Sequence, residues 1–227
     1  MSVDILRDLR SEFGTARDQD QRPTCSAFAA SDTHAGLRPG WDPLSAEWAY
    51  YHAVRRDGGK PDDGATLSSM LKALELDGQP HESGWPYITD PIIDVAAWKP
   101  PPGFALLFRR DGNLVTATLD EIVSKIDGGV PVLMSISVSD AFYLPGKDGV
   151  IDSAEKPDPT RRHAVVAVGH GVRTSERMIL LRNSWGADWG IEGYGWLTET
   201  YLTPRLRRAA ILTKELCDVS AYPASAK

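Results

Sequence analysis

Hydrophobic residues in the first hundred positions recur at the spacing of a helix. The pattern predicts one helix over 25–36, a second that follows Ser45 as its N-cap, and a third that follows Thr66 and ends at Gly78. The apolar positions that mark these helices are Phe28, Ala29, Leu44, Trp48, Tyr51, Leu67, Met70, Leu71 and Leu74. The first half of the chain is therefore predicted to be mainly helical.

The second half consists mainly of short runs rich in β-branched and aromatic residues, bounded by glycine or by charged turn residues. One helix comes first, because Thr118 and Glu121 have the spacing of a capping box and Gly128 follows the apolar positions. The predicted strands cover 130–138, 163–171, 177–185 and 193–199. A helical half followed by a strand-rich half predicts the α+β class.

The proline-rich segment 97–104 separates these two halves. We expect a single domain over 1–227, with a helical subdomain over about 1–100 and a β subdomain over about 101–227. Clefts between such subdomains are common places for active sites. A functional site is therefore expected where the two halves face each other.

Composition narrows the functional classes. The net charge of −6 gives no basic surface for nucleic acid, and no apolar run is long enough to span a membrane. Cys25 and Cys217 are the only two cysteines, which predicts neither a disulfide framework nor a zinc site. The first residues lack the apolar core of a secretory signal, so we expect synthesis in a reducing cytoplasm. No metal or cofactor is expected.

Cys25 has two interpretations. Free cysteines are often buried as small hydrophobic residues, so packing alone would explain it. A nucleophile is the second interpretation, because a helix N-terminus lowers the pKa of a thiol; the position alone does not choose between the two. A nucleophilic thiol needs a base, and that base needs a group to orient it. The rest of the chain must supply both.

Five histidines are candidates for the base. His34 and His52 fall in predicted helices, and His81 falls in a polar loop. His163 differs from these because it begins a predicted strand directly after a charged loop, at the edge of the sheet where a cleft is expected. His170 ends the same strand, and its odd spacing from His163 predicts that it points to the other face.

Asn183 is the candidate orienting group. It ends an apolar strand and precedes a run rich in glycine and tryptophan, "SWGADWGIEGYGW". Its side-chain oxygen would accept Nδ1–H of the imidazole and leave Nε2 to face the thiol. Trp185 would cover this hydrogen bond and exclude water from it. A tight hairpin whose tryptophans and glycines only pack together is the alternative interpretation of this segment.

The combination of these segments resembles the papain-like cysteine peptidases. The segments that carry the resemblance are "NSWGADWGIEGYG", the upstream "HAVVAVGHG" and a glutamine six positions before Cys25, together with "LSAEWAYY" and "WPY". The family has the order Gln, Cys, His, Asn, which matches Gln19, Cys25, His163 and Asn183 here. The resemblance covers almost the whole chain. It implies a helical half and an antiparallel, barrel-like β half with the active-site cleft between them.

The resemblance also implies residue roles. Cys25 would be the nucleophile, His163 the base and Asn183 its orienting group. The side chain of Gln19 and the backbone N–H of Cys25 would form the oxyanion hole; Gln21 is the alternative donor. The substrate would run along Gly64, Ala65, Ala164 and Trp185.

The chain departs from the family pattern in three segments. "RPTCSAF" stands where the family has Cys-Gly-Ser-Cys-Trp around the nucleophile, which removes the neighbouring disulfide. Gly64-Ala65 replaces a double glycine, and Arg162 precedes the histidine where Asp or Asn is usual. These changes put substrate preference in doubt, not the reaction class. The missing disulfides and the few residues before Cys25, which leave none for a propeptide, together suggest a bacterial, intracellularly folded branch of the family.

The expected activity is hydrolysis of peptide bonds by a cysteine peptidase. Without a propeptide, we expect narrow specificity or a cognate inhibitor or immunity-type protein that blocks the cleft, and a bacterial effector or toxin protease exported without a signal is one setting. Two alternatives stay open: an acyl or amide transferase that uses the same thiol, and a non-catalytic peptide-binding module on this scaffold.

Overall fold

The computed structural model describes residues 2–104 and 106–216. The predicted helices are present in these residues, and two further single-turn helices, Asp140–Tyr143 and Glu199–Leu202, each follow a strand. The helices are α1 Cys25–Gly36, α2 Ala46–Arg56, α3 Leu67–Leu76, α4 Leu119–Asp127, α5 Asp140–Tyr143 and α6 Glu199–Leu202. Short 3-10 turns cover Arg10–Glu12 and Glu82–Gly84.

Side-chain caps begin the helices at the predicted positions. The hydroxyl of Ser45 accepts the N–H of Trp48, and that of Thr66 accepts the N–H of Ser69. Each cap satisfies an amide that has no partner within its helix. At α4 the hydroxyl of Thr118 accepts the N–H of Glu121, while the Thr118 N–H bonds the carbonyl of Thr116. The predicted capping box is therefore only half formed.

Eight strands form one sheet, and all four predicted strands are among them. The strands are β1 Asp4–Asp8, β2 Arg109–Val115, β3 Val132–Ser137, β4 Val150–Ile151, β5 Arg162–Arg173, β6 Glu176–Arg182, β7 Tyr194–Thr198 and β8 Leu206–Leu216. The order across the sheet is β2-β8-β3-β5-β6-β7-β4, with β1 also paired to β5. All pairs are antiparallel except β4 with β7.

The expectation of a barrel-like β half is wrong. The sheet is open, because β2 and β4 stand at opposite ends of the strand order and do not pair with each other. The α+β class is confirmed. β1, β2, β4 and β8 were not predicted from the sequence; β1 is largely exposed, and β2 contains Gly112 and Asn113, which are both poor strand formers.

One large hydrophobic core joins the helices to the sheet, and a smaller cluster of Ala35, Leu44 and Phe108 lies apart from it. The large core runs from Phe28 and Ala30 of α1 and Met70 of α3 to Val165 of β5 and Leu181 of β6. Because α1 packs on β5, its N-terminus and the start of β5 lie on the same cleft. No helix among the described residues is long and apolar enough to cross a membrane.

Candidate active site

Cys25 is the first residue of α1 and is a half-buried free thiol. Its sulfur lies within hydrogen-bond reach of the backbone N–H of Ala164, the residue that follows His163. Burial raises the pKa of the thiol, while this N–H and those of Ser26 and Cys25 itself act in the opposite direction. The expectation that the helix N-terminus makes the pKa unusually low is therefore wrong for the isolated thiol, because the loss of water outweighs the amides.

His163 is buried near the start of β5 and lines the same cavity as Cys25. Burial lowers its pKa to about 4, and its hydrogen bond with Asn183 acts against that shift. The strand start predicted for this residue is confirmed. The fold thus brings a thiol from the helical half and an imidazole from the sheet to one cavity.

Asn183 follows β6 and fixes the tautomer of the imidazole. Its Oδ1 lies 2.7 Å from Nε2 of His163 and accepts the backbone N–H of Ser184 at 2.9 Å. Since a backbone N–H can only donate, the shared atom must be the amide oxygen, and Nε2 must carry a proton. In the neutral ring Nδ1 is then the free base. The predicted hydrogen bond to Asn183 is present, but the assignment of the ring nitrogens was wrong. Nε2 makes this bond where Nδ1 was expected, and Nδ1 is the nitrogen left free.

Aromatic rings enclose the imidazole. The Trp185 ring lies against His163 with centroids 4.6 Å apart and planes tilted by 34°. Phe142 approaches the same imidazole edge-on at 5.6 Å, and Tyr143 stacks on Trp185 at 5.1 Å. These rings keep water away from the bond between His163 and Asn183, which strengthens it. Trp185 therefore has the covering position expected from the sequence.

Gln19 is buried and held at both ends of its side-chain amide. Its Oε1 accepts the Ser184 hydroxyl at 2.7 Å, and its Nε2 donates to the carbonyl of Arg22 at 2.9 Å. Nε2 has two hydrogens, so one is left for a second acceptor. Gln21, the alternative donor, is exposed. The side chain of Gln19, and not that of Gln21, is thus hydrogen-bonded to Ser184, the residue that follows Asn183.

A buried ion pair holds the loop between Gln19 and Cys25. Arg22 donates to both carboxylate oxygens of Glu47, at 2.6 and 3.0 Å, and both side chains are almost fully buried. Glu47 also accepts Trp98 Nε1 at 2.6 Å and the N–H of Ile88 at 3.2 Å. Four donors thus satisfy this carboxylate, and the carbonyl of Arg22 is fixed where Gln19 needs it.

A second ion pair joins α1 to the strand that precedes Asn183. Arg182 at the end of β6 bonds Asp32 of α1 at 2.7 Å, and Arg17 bonds the same carboxylate at 2.6 Å. Arg182 also donates to the carbonyls of Gly14 and Thr15. The helix that carries the thiol and the strand that leads to Asn183 are therefore held at one carboxylate.

The cavity at Cys25 has a volume of about 940 Å³. Gly64, Ala65 and Ala164 line it as expected, and Gly64 adopts a positive φ of 75° that favours glycine. Trp185 packs on His163 and is not among the lining residues. The lining residues are Pro23, Cys25, Ser26, Asp57, Gly58, Gly59, Asp63, Gly64, Ala65, Thr66, Leu67, Ser68, Leu114, Ser135, Arg162, His163, Ala164 and Arg208.

The other histidines have partners away from the thiol. His34 is fully buried and bonds Gln79, His170 bonds Asp127 of α4 at 2.7 Å, and His52 and His81 pair with aspartates. Within residues 2–104 and 106–216 no group of three side chains is arranged to hold a metal ion. Cys217 lies outside the described residues, so its expected free state stays a prediction.

Sequence reasoning missed several residues of the site. Ser184 could have been identified from the sequence, because it directly follows Asn183. In the structure its hydroxyl donates to Gln19. Phe142 and Tyr143 carried no signal, since they belong to a single-turn helix that was not predicted. Arg208 and Leu114, which line the cavity, lie on two of the unpredicted strands.

Residues 108–210 match the family model described as papain family cysteine protease, a range that contains His163 and Asn183. A viral cathepsin of Cydia pomonella granulosis virus is 42% identical over 64 residues, which cover 28% of this chain and 18% of the relative. Cysteine proteinase 1 of Entamoeba histolytica is 28% identical over 189 residues, covering 78% and 58%. The chain spans less than a quarter of the length of the first relatives that it matches.

Solved structures show the same fold over most of the chain. Xylellain, a cysteine protease from Xylella fastidiosa, superposes with a TM-score of 0.75 at 22% identity, covering 91% of this chain and 84% of its own. Procathepsin L 3 of Tenebrio molitor gives 0.74 at 20% identity, covering 92% and 69%. Residues 108–210 thus match the papain family of cysteine proteases, and over most of its length the chain has the papain-like fold of these structures.

Proposed function

We propose that the chain is a cysteine peptidase that hydrolyses peptide bonds through an acyl-enzyme intermediate. The observation that carries the proposal is the hydrogen bond between Nε2 of His163 and Oδ1 of Asn183. It leaves Nδ1 unprotonated in the neutral ring, and this ring lines the same cavity as the Cys25 thiol. A thiol and a free imidazole nitrogen in one partly dry cavity form a nucleophile with its base.

Burial opposes a charge on either group alone, because it raises the pKa of Cys25 and lowers that of His163. Transfer of the thiol proton to Nδ1 creates both charges together, so each stabilises the other at short range. The N–H groups of Ala164 and Ser26 lie within reach of the thiolate, and Asn183 accepts Nε2–H of the imidazolium. The site thus stabilises the pair of Cys25 thiolate and His163 imidazolium, although burial disfavours either charge alone.

In the acylation step the thiolate of Cys25 attacks the carbonyl carbon of the scissile peptide bond. A carbon–sulfur bond forms, and the carbonyl electrons move onto oxygen. The carbonyl then re-forms as the carbon–nitrogen bond breaks, and His163 gives its Nδ1 proton to the leaving amine. The products of this half are a thioester on Cys25, a free amine and a neutral imidazole.

In the deacylation step a water molecule attacks the thioester carbonyl. Nδ1 of His163 takes a proton from this water, and the carbon–sulfur bond breaks as the acid is released. The sulfur leaves as a thiolate beside the imidazolium, which restores the starting pair. Over the two steps one peptide bond and one water molecule are consumed, one amine and one acid are released, and no oxidation state changes.

The oxyanion of each tetrahedral intermediate would bind the N–H of Cys25 and the remaining hydrogen of Gln19 Nε2. Both donors are held before substrate arrives: the first begins α1, and the second is fixed by Ser184 and Arg22. Donors held in this way stabilise charge that develops only in the transition state.

The test is hydrolysis of a denatured, fluorescently labelled protein and of a random peptide library by the purified chain. We expect turnover that is lost in Cys25→Ala and in His163→Ala, while Cys217→Ala serves as the control for general effects of removing a thiol. Hydrolysis that persists in pure Cys25→Ala protein would overturn the proposal. Binding of peptides without hydrolysis by the wild type would instead favour the non-catalytic module.

A transferase would use the same thioester but pass the acyl group to an amine. Adding a primary amine to the hydrolysis assay and identifying the products by mass spectrometry separates the two activities. We expect the free acid to dominate. Amide as the main product at millimolar amine would assign the chain to the transferases.

We further propose narrow substrate specificity, a bacterial setting, synthesis in a reducing cytoplasm and control by a protein that fills the cleft. The support for narrow specificity is the charge of the cavity lining, which includes Asp57, Asp63, Arg162 and Arg208. Addition of the purified chain to a bacterial lysate, followed by identification of new peptide termini, tests this proposal. A short list of cleaved proteins is expected, and broad degradation would contradict it.

A further inference from the structure

The sheet side of the cavity carries two positive charges. Arg162 begins β5, Arg208 lies near the start of β8, and both side chains are exposed and line the cavity that contains Cys25. Ser135 of β3 lies between these strands and lines the same wall. Two guanidinium groups and a hydroxyl thus stand on one wall near the nucleophile.

Strand register places these side chains side by side. Ser135 pairs with Ala164 of β5 on one side and with Arg208 of β8 on the other. Side chains at directly paired positions share one face of a sheet, and Arg162 shares that face because it precedes Ala164 by two residues. Their grouping is therefore a property of the strand pairing and does not depend on one rotamer.

Neither arginine is neutralised within the described chain. Arg208 makes no ion pair or side-chain hydrogen bond with residues 2–104 or 106–216, and Arg162 donates only to the carbonyl of Pro159, at 2.9 Å. By contrast, two arginines of β6 have counter-ions: Arg182 pairs with Asp32, and Arg177 pairs with Glu199 and Asp120. The wall thus offers two charges with no counter-ion among the residues that the structure describes.

The acidic residues of the cavity, Asp57 and Asp63, belong to the helical half and make their hydrogen bonds there. Asp57 accepts the N–H and hydroxyl of Thr66 and the hydroxyl of Ser69, which hold the start of α3. Asp63 accepts the N–H of Lys60 at 2.6 Å. These bonds belong to the connection between α2 and α3, so the carboxylates do not reach across to neutralise the arginines.

We propose that Arg162, Ser135 and Arg208 form a pocket for an acidic side chain of the substrate, so that the enzyme prefers Glu or Asp close to the scissile bond. The proposal deepens the proposed peptidase function and rests on it. Guanidinium groups recognise carboxylates through paired, charge-assisted hydrogen bonds. Leu67 and Leu114 line the cavity as well and give apolar contact for the methylene groups of a Glu side chain.

The experiment uses the wild-type chain and matched peptidyl epoxides that place Glu, Gln or Lys at each of the four residues before the reactive group. The readout is the second-order rate of Cys25 labelling, measured by mass spectrometry of the Cys25 peptide. We expect Glu to label about tenfold faster than Gln at one position. Equal rates for Glu and Gln at all four positions, or a preference for Lys, would overturn the proposal.

Charge reversal gives the second arm. Arg208→Glu is expected to remove the advantage of Glu over Gln and to favour Lys at the same position, and Arg208→Gln is the near-isosteric variant if the reversed one does not fold. Arg207→Ala is the matched control, because Arg207 is an exposed neighbour on the same strand that instead bonds Ser137. A Glu advantage that survives in both Arg208 variants and in Arg162→Ala would contradict the assignment of the pocket.

Labelling requires a reactive thiol but no turnover, so the two proposals fail separately. A Glu advantage in labelling, with no hydrolysis of any peptide, would overturn the peptidase function and leave the pocket standing. Hydrolysis that shows no Glu advantage would overturn the pocket and leave the peptidase function standing.

Discussion

Oδ1 of Asn183 lies 2.7 Å from Nε2 of His163, and both residues are buried. The oxygen is fixed because it also accepts the N–H of Ser184, and the imidazole is fixed because Trp185 lies against its face. The Nδ2 group of Asn183 has no hydrogen-bond partner within the described residues. Among the described residues, Asn183 therefore acts on the imidazole through its side-chain oxygen and not through its amide nitrogen.

Replacing Asn183 by Ala is expected to lower kcat about 10- to 100-fold, because Nε2 loses its acceptor and the ring loses its preferred tautomer. Asn183→Asp keeps an acceptor at the same place and is expected to recover much of the loss. The measurement is kcat and KM for each variant, with thermal unfolding as the control for folding. A wild-type kcat in Asn183→Ala would show that the hydrogen bond does not orient the base.

Gln19→Ala is expected to lower kcat about 100-fold or more with a smaller change in KM, since the donor acts mainly on the transition state. Gln21→Ala is the matched control, because Gln21 is exposed and two residues away. Steady-state kinetics on one peptide substrate checks both. The reverse pattern, with the loss in Gln21→Ala alone, would move the oxyanion hole to Gln21.

His34 should make the protein sensitive to acid. It is fully buried, its Nδ1 lies 3.1 Å from Oε1 of Gln79, and its Nε2 has no partner among the described residues. Burial, with the nearby charge of Arg110, lowers its pKa to about 3. Because an unfolded histidine titrates near 6.5, the unfolded state binds the proton first as the pH falls.

The contribution of neutral His34 to the free energy of unfolding is therefore fully present above about pH 6.5. It decreases as the pH falls from about 6.5 to about 3. The loss between pH 7 and pH 5 should be about 2 kcal/mol for this group. His163, with its pKa of about 4, acts in the same direction. Urea unfolding at pH 7 and pH 5 measures the difference. His34→Gln should lose less stability than the wild type over this interval, and an unchanged loss would assign the acid sensitivity elsewhere.

Glu47→Ala is expected to lower the free energy of unfolding by about 3–5 kcal/mol, because it leaves the guanidinium of Arg22 buried without its counter-ion. Glu75→Ala is the matched control: it breaks an exposed pair with Lys72 and should cost less than about 1 kcal/mol. Chemical denaturation of both variants checks the prediction. Similar losses in the two variants would contradict the role given to the buried pair.

The sequence predicted the parts of this site that depend on local pattern. Helix caps at Ser45 and Thr66 are local hydrogen bonds, and a strand beginning at His163 follows from a run of β-branched residues. The nitrogen that meets Asn183 was assigned wrongly because ring orientation depends on how β5 and β6 approach each other. The pair of arginines at the cavity, Arg162 and Arg208, was missed because Arg208 lies on β8. The second and third residues of this strand are exposed arginines, and its place in the sheet depends on pairing with distant strands.

The pH dependence of Cys25 alkylation in the wild type and in His163→Ala tests the central claim most directly. Each rate is read by mass spectrometry of the Cys25 peptide, with Cys217 as an internal reference. If His163 takes the thiol proton, the wild type should react at pH 6 about 100-fold faster than His163→Ala, because an unpaired buried thiol stays protonated up to and beyond its ordinary pKa of about 8.5. Superimposable profiles for the two proteins would contradict the claim that Cys25 and His163 act as one nucleophilic unit.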